Sequence, residues 1–459
     1  MELSHGGESV DVVVVGAGLS GLVVANALRD AGLGVLTAEV SDRAGGVLGT
    51  RERGGFRYET AANSALDDAT TFAPLLETLG IAGKRIDATD RAAKRFIVRD
   101  RKLKPLPMSP QALLTNATFS LRARLRLLRE PFIAAAPANV EESVAAFARR
   151  RLGDEWLDYA VDPFVSGVHA GDPETLSLRA AFPRLHALEQ MHGSLLRGQV
   201  RRAHARKGAA APRSFSFTEG MQTLTDALAA RVDVRTGTRT AIVPRSDGDH
   251  DVELSDSRSS RHVRARAVVI ATPADAAAAL VASFAPQAAQ HLEAIAYAPV
   301  SIVVSAYRRD DVAHALDGFG FLVPSRERRP ILGTLFSSTM FEGRAPPGNV
   351  LLTTFVGGER NRESAALDDA ALRGIVGREL ASLLGARSAL WMEIVRWPRA
   401  IPQYTLGHDA RIAAIDQATA RFPTLFFSAN WRGGISLADC VARSQRTAAS
   451  VQRALLAPA

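Results

Sequence analysis

Val12-Val13-Val14-Val15 runs straight into Gly16-Ala17-Gly18-Leu19-Ser20-Gly21. Four consecutive β-branched residues with no polar break read as a strand buried on both faces, the kind found inside parallel sheets covered by helices. Leu22 to Ala31 then reads as a helix that Gly32 closes, and Val35-Leu36-Thr37-Ala38 as a second strand with Glu39 at its end. Glycines at a strand-to-helix turn let an anion reach the N–H groups and positive dipole of the helix start. An acid ending the next strand, 18 residues after Gly21, suits the hydroxyls of a ribose. Residues 11–40 therefore read as a dinucleotide-binding β-α-β unit. Gly16, Ala17, Gly18, Leu19, Ser20 and Gly21 are the pyrophosphate candidates, and Glu39 is the ribose candidate. A carboxylate at 39 would repel a 2′-phosphate, which disfavours NADP.

The chain of 459 residues is long enough for about three domains. A strand-rich block spans 215–272: a helix over 218–231, strands over 232–235, 240–243 and 251–254, and a buried strand over 267–271 stopped by Pro273. A last strand, 425–430, leads into Gly433-Gly434 and a terminal helix. Residues 110–206 are rich in Leu, Ala and Arg at helical spacing. Leu121, Leu125, Leu128 and Phe132 form one stripe, with Arg122, Arg124, Arg126 and Arg129 between them. Strand signals such as Val300 to Val304 and Asn349 to Phe355 place a mixed sheet in 295–406. The expected class is α/β with α+β insertions. A discontinuous Rossmann-like FAD/NAD(P)-binding domain takes 1–60, 215–280 and 420–459. A mixed-sheet substrate domain takes 61–99 and 281–419, and a helical, membrane-touching domain takes 100–214.

Charge and composition narrow the function classes. The net charge is +8, carried by 51 arginines and only five lysines, none after Lys207. It admits an anionic partner, but no nucleic-acid-binding motif or basic arm accompanies it, so nucleic acid is not expected. The lone Cys440 rules out an intrachain disulfide. The ten histidines are mostly isolated, and no metal site is expected. Met1 to Val10 carries two Glu and no Lys or Arg, unlike a secretory signal, and no uninterrupted run of 18 apolar residues exists. These features favour a cytoplasmic protein whose membrane contact is peripheral, through residues 118–132.

Two further segments are similar to flavoproteins. Asp42-Arg43-Ala44-Gly45-Gly46-Val47-Leu48-Gly49-Thr50 resembles the double-glycine motif of the glutathione-reductase-like flavoproteins. That likeness implies FAD, with Arg43, Gly45, Gly46 and Val47 near the dinucleotide. Ser428 through Cys440, containing Gly433-Gly434-Ile435-Ser436-Leu437, resembles the second glycine turn of that class. Its N–H groups would face the flavin N1–C2 carbonyl edge, where negative charge gathers on reduction. No Cys or His lies beside the double-glycine motif, so the FAD is expected to be noncovalent.

From Val12 to the terminal helix the chain resembles the protoporphyrinogen oxidase family of amine-oxidase-like flavoproteins. The specific strings are Pro163 to Pro173, Leu176 to Pro183, Gly318 to Pro324, Leu332 to Ser338, Phe355 to Gly358 and Ile401 to His408. The resemblance implies that Arg95 pairs with a substrate propionate. It implies that Leu322 and Leu335 sandwich a pyrrole ring, that Phe355 stacks nearby and that Gly167 lies at the substrate edge. It further implies FAD contacts from Trp397, Gly434 and the backbones of Thr240, Ile435, Ser436 and Leu437. Taken alone, Arg95 is one of 51 arginines, and Leu322, Leu335 and Phe355 read as core. The implied reaction takes six electrons from a porphyrinogen in three FAD-mediated steps, with O2 leaving as H2O2. No side chain stands out as a catalytic acid or base, and a homodimer is compatible with the sequence.

Three alternatives stay open. The substrate is coproporphyrinogen, with Arg360 or Arg399 lining an open rim. The chain is an amine oxidase, against which the missing mid-chain lysine counts. Or it is an inactive flavin-binding scaffold. One departure from the family pattern is Glu59-Thr60-Ala61-Ala62-Asn63, where Ala61 stands in place of a glycine. Alanine disfavours positive φ, so a different turn is expected there.

Overall fold

The computed structural model describes residues 8–66, 70–107, 118–137, 139–205 and 213–456. Two seven-stranded sheets organise them. The first is built around the valine run. Glu8–Val15 lies parallel between Val35–Ala38 and Ser260–Ile270, and Asp233–Arg235 adds beyond Val35–Ala38. Ser260–Ile270 is long enough for two partners on its other edge. Its first half pairs antiparallel with His250–Ser255, which continues to Arg239–Pro244, and its last three residues pair in parallel with Leu425–Phe427. Val12, Val13 and Val14 are wholly buried because both faces are covered. Val12 and Val14 pack with Val24 and Leu28 of the opening helix and Val451 of the terminal helix. Val13 and Val15 pack with Ala277, Val281 and Leu292 of the helices Ala274–Val281 and Pro286–Glu293.

The second sheet runs Trp391–Pro402, Tyr297–Arg308, Asn349–Gly357, Ile331–Leu335, Gly320–Leu322, Phe96–Arg99, Lys102–Pro105. It is antiparallel except between Gly320–Leu322 and Phe96–Arg99. One face packs on the helix Asp369–Leu384 through Val303, Leu352, Val356, Leu372, Val376 and Leu380. Across the Leu121 to Ala205 stretch, the described structure is helical and turn-rich. A helical run there passes through a π turn, Leu157–Val161, into Asp162–His169. Among the described residues no helix is long and apolar enough to cross a membrane.

Several boundaries differ from those expected. The opening helix starts at Leu19, not Leu22, so the last residues of the glycine motif are already helical. The expected helix over 218–231 is shorter, Gln222–Ala229, and a strand, Ser214–Phe217, precedes it. Lys102–Pro105 folds back on Phe96–Arg99, so the substrate-side sheet extends past 99 into the segment assigned to the helical domain. Ala65–Leu66 and Arg85–Asp87 flank Ser214–Phe217 in a small third sheet. Phe72 and Leu76 pack there with Leu22, Leu224 and Phe215, which sets much of 61–87 against the dinucleotide-type domain rather than the substrate sheet. Parts of the expected 100–214 domain, residues 108–117, 138 and 206–212, lie outside the described residues, as do 1–7 and 457–459. The helix expected over 118–132 runs Leu121–Leu128 and gives way to a single 3-10 turn, Glu130–Phe132, where Pro131 ends the regular hydrogen bonding.

Candidate active site

The glycine turn and Glu39 come together at the carboxyl end of the first sheet. Gly18 occupies the N-cap of the opening helix Leu19–Asp30 and brings no side chain to cap it. A Cβ on Gly21 would sit 1.9 Å from the Gly16 carbonyl oxygen, so only glycine permits this approach of helix to turn. At Gly18, by contrast, the nearest atom to a Cβ would be Gly46 Cα at 4.0 Å, which leaves room over the helix start. Gly45 donates its N–H to the Ala17 carbonyl at 2.8 Å, tying the double-glycine segment to the first turn. Arg43 locks that segment, donating to the carbonyls of Ala44, Gly46 and Leu48. Val47 is half-exposed beside it.

The Glu39 carboxylate is buried. Its Oε2 accepts the Ala17 N–H at 2.7 Å, and its Oε1 accepts the Ser41 N–H and hydroxyl at 2.9 and 2.6 Å. Oε2 retains a free lone pair, so a ribose hydroxyl has an acceptor. Thr238 donates to the Glu39 carbonyl at 2.8 Å, and Thr240 follows two residues along in Arg239–Pro244. An open helix start, an oriented carboxylate and a glycine seam fit a bound dinucleotide.

The second glycine turn lies at the far end of the chain. Gly433 and Gly434 both have positive φ, at 80° and 119°. Gly434 donates its N–H to the Tyr404 hydroxyl at 2.9 Å, and that hydroxyl donates to the Asn430 carbonyl at 2.7 Å. Ser436 caps the terminal helix Leu437–Leu456, its hydroxyl oxygen accepting the Asp439 N–H at 3.1 Å. Ile435 precedes it, so the turn presents Gly434 to Leu437 at a helix start. This helix packs against the opening helix, which brings the two glycine turns to the same side of the first sheet. Arg443, which no sequence pattern singles out, abuts Gly433 and is half-buried with no ion-pair partner among the described residues; burial holds its pKa down.

The substrate candidates line up on the second sheet. Leu322, Gly333 and Phe355 stand in register on three adjacent strands, and Leu335 lies two pairs along, opposite Gly320. Leu322, Leu335 and Phe355 remain partly exposed on strands that are otherwise mostly buried. Partial exposure of this kind is what a cleft wall requires and a closed core does not. Gly167, on the helix Asp162–His169, closes over Leu322: a Cβ there would lie 2.6 Å from Leu322 Cδ2. Phe319 joins Leu335 in one apolar cluster, and the Arg95 guanidinium lies over the Phe319 ring at 4.8 Å. Arg95 is half-buried, has no carboxylate partner among the described residues, and has its pKa lowered by burial. Trp397 packs against the same apolar cluster as Phe355 and donates its Nε1–H to the Thr60 carbonyl at 2.7 Å, joining the second sheet to the segment after Glu59. Ala61 takes no left-handed φ, the conformation alanine disfavours.

His169 and His408 are both buried, and burial lowers each pKa to about 4. Each leaves its Nδ1 without a hydrogen-bond partner. His408 stacks on Tyr404 at 4.1 Å and His169 packs edge-on to Phe182. Both serve as neutral packing groups at neutral pH.

A family model described as flavin containing amine oxidoreductase matches residues 19–452. The mitochondrial protoporphyrinogen oxidase of Nicotiana tabacum is 34% identical over 93% of this chain and 91% of that protein. The coproporphyrinogen III oxidase of Bacillus subtilis (strain 168) is 25% identical over 94% of this chain and 95% of its own length. Among solved structures, cyclohexylamine oxidase from Brevibacterium oxydans shares the fold, with a TM-score of 0.69 at 17% identity over 97% of this chain and 99% of that one.

Proposed function

The chain belongs to the flavin-containing amine oxidoreductase family, and on that footing we propose that it oxidises protoporphyrinogen IX to protoporphyrin IX. It is an FAD-dependent oxidoreductase. The observation that carries the substrate reading is the cleft wall of Leu322, Leu335 and Phe355 with an unpaired, half-buried Arg95 at one end. An apolar tetrapyrrole macrocycle with carboxylate arms matches both parts.

In this reading Gly16 to Gly21 receive the pyrophosphate and Glu39 the ribose. Arg43, Gly45, Gly46 and Val47 flank the dinucleotide, together with Thr240 and Trp397. Gly434 to Leu437 would hold the flavin end, where free N–H groups at the helix start would stabilise the negative charge that gathers at N1–C2 on reduction. Bound FAD supplies acceptance of two electrons in each of three turns, and O2 carries them off as H2O2. The rest belongs to the chain. Arg95 pairs with a propionate through its planar fork and so sets which carbon faces the flavin. Leu322, Leu335 and Phe355 hold the ring and exclude water. Neither His169 nor His408 is placed as a base. The oxidant O2 and a peripheral membrane contact are part of the proposal. The contact is made by Leu121, Leu125, Leu128 and Phe132, which are 63%, 53%, 51% and 84% exposed.

Anaerobic addition of protoporphyrinogen to the purified protein should bleach the flavin. Flavin that no porphyrinogen reduces would overturn the reading in favour of an inactive scaffold. Arg95→Ala should lower kcat/KM by roughly 30- to 1,000-fold, about 2–4 kcal/mol, because a charged hydrogen bond and substrate orientation are lost together. Arg95→Lys should restore only part of it. Wild-type kinetics in Arg95→Ala would remove the anchor.

A further inference from the structure

We propose that the groove beside the basic helix Leu121–Leu128 binds the head group of one anionic membrane phospholipid, with Arg122 and Arg129 on its phosphate. The inference rests on the peripheral membrane contact proposed above and adds a discrete site to it. The groove is a cavity of about 1110 Å³ between that helix, the segment around Leu152 to Tyr159 and the Arg99–Asp100 corner. None of the dinucleotide or substrate candidates lines it.

Its charges do not balance. Four carboxylates line the groove, and each is already engaged: Asp100 with Lys104 at 3.1 Å, Asp154 with Arg149 at 3.7 Å, Glu155 with Arg99 at 2.8 Å and Asp158 with Arg326 at 2.6 Å. Arg126 donates to the Arg150 carbonyl at 2.8 Å and meets no carboxylate. Arg122 and Arg129 have no ion-pair partner among the described residues and are exposed. Positions 122, 126 and 129 share one side of the helix, so three guanidiniums line a stripe of roughly 10 Å. The groove thus carries surplus positive charge with no protein anion to meet it.

The second component is apolar. Leu121 and Leu125 line the same groove and continue into the exposed stripe of Leu128 and Phe132. A free phosphate would satisfy the arginines and leave this stripe bare. A phospholipid presents a phosphate directly above its acyl chains and matches the two stripes side by side. The walls are built in advance. Glu155 accepts the N–H of Ser120, which caps the helix, at 2.9 Å. Trp156 stacks on Phe119 at 3.9 Å and donates its Nε1–H to the Ala123 carbonyl at 3.0 Å.

The test uses dihexanoyl-phosphatidylglycerol below its micelle concentration, titrated calorimetrically into the FAD-loaded protein. Saturable binding of one lipid per chain is expected, with dihexanoyl-phosphatidylcholine and inorganic phosphate at least about tenfold weaker, a difference of about 1.4 kcal/mol. Arg122→Glu with Arg129→Glu should abolish binding without changing the melting temperature. Arg258→Glu with Arg261→Glu, the same charge change on a distant hairpin, should leave it intact. Phosphatidylglycerol binding no tighter than that of phosphatidylcholine or phosphate would overturn the site, as would equal loss in both double variants. Flotation with anionic vesicles separates the two layers: vesicle binding without soluble-lipid binding refutes the groove and spares the membrane contact, and failure of both refutes both.

Discussion

At Gly167 a missing methyl group would set the width of the proposed cleft. The atom a Cβ would strike, Leu322 Cδ2 at 2.6 Å, is the end of a flexible side chain. Gly167→Ala should therefore fold, since alanine favours a helix interior by about 1 kcal/mol over glycine. It should turn Leu322 into the cleft and cost substrate binding about 1–3 kcal/mol, as overpacking does, or roughly 5- to 150-fold in kcat/KM. Steady-state kinetics beside a thermal melt check this. An unchanged KM would take the Gly167–Leu322 contact out of the substrate site. This contact also marks how far residues could be read from the sequence alone. Gly16 to Gly21 and Glu39 announced themselves because glycines and an acid interrupt an apolar pattern at fixed offsets. Leu322, Leu335 and Phe355 carry no such sign, since an apolar residue in a strand signals burial, and only their residual exposure distinguishes cleft from core. Arg95 is marked by half-burial beside Phe319 with no carboxylate partner among the described residues, which is a fact of three dimensions.

Elements here are held by groups that the hydrophobic pattern does not reveal. Arg151 ends the helix Val144–Arg151 and is fully buried with Glu130 and Glu189, all three at 0% side-chain exposure. Arg151 meets Glu130 at 3.1 Å and Glu189 at 2.5 Å. Glu130 in turn accepts the Ser194 hydroxyl at 2.6 Å and the N–H groups of Leu195 and Leu196 at 2.8 and 3.2 Å, capping the helix Leu195–Ala205. Removing the cation leaves Glu130 buried without one, while Glu189 keeps only Arg150, at 2.8 Å. Arg151→Met should cost about 3–5 kcal/mol, the range for breaking a buried pair from one side, read as a lowered denaturation midpoint. A loss under about 1 kcal/mol would mean the cluster is replaceable by apolar packing. The triplet Arg149-Arg150-Arg151 gives no hint in sequence of which member is buried. The same limit explains the boundary at residue 99. Lys102-Leu103-Lys104 looks like a solvated stretch, yet pairing with Phe96–Arg99 makes it an edge strand, where lysines are favoured. His169 at the end of its helix and His408 at the start of the helix His408–Thr419 add a pH dependence. Their folded pKa values, about 4, lie below the unfolded value near 6.5. The unfolded chain therefore binds protons first as pH falls. Stability is fully present above about pH 6.5 and lost between there and about pH 4, at about 1.4 kcal/mol per unit for each histidine. Melting temperatures across that window should fall, and more shallowly in His408→Gln; identical slopes in both proteins would remove His408 from the effect.

Over the whole molecule, substrate choice follows from where the arginines are spent. Protoporphyrinogen and coproporphyrinogen differ at two ring positions, vinyl in one and propionate in the other. Two additional carboxylates need two additional cationic or solvated sites. The arginines that could line the rim in sequence are Arg360 and Arg399, and both are engaged. Arg360 bridges Asp162 and Asp172, the latter at 2.9 Å, and so ties the helix carrying Gly167 to the loop after the strand carrying Phe355. Arg399 pairs with Asp275 and lies over the Tyr297 ring at 5.8 Å. Recruiting either for a substrate would strand a carboxylate that it now neutralises. Arg95 stands beside Phe319 with no carboxylate partner among the described residues, and in the proposed reading it serves one propionate. A further propionate pressed against Leu322, Leu335 or Phe355 would lose hydration without compensation, at about 1–3 kcal/mol even where relaxation softens the cost. Vinyl groups incur none of this. The expected outcome is a kcat/KM for protoporphyrinogen at least about tenfold above that for coproporphyrinogen, which corresponds to about 1.4 kcal/mol. Porphyrin fluorescence under air, with each porphyrinogen as sole substrate, measures it directly. A higher value for coproporphyrinogen would mean that Arg360 or Arg399 gives up its aspartate to the substrate, and a double variant Arg360→Ala, Arg399→Ala would then selectively abolish that activity.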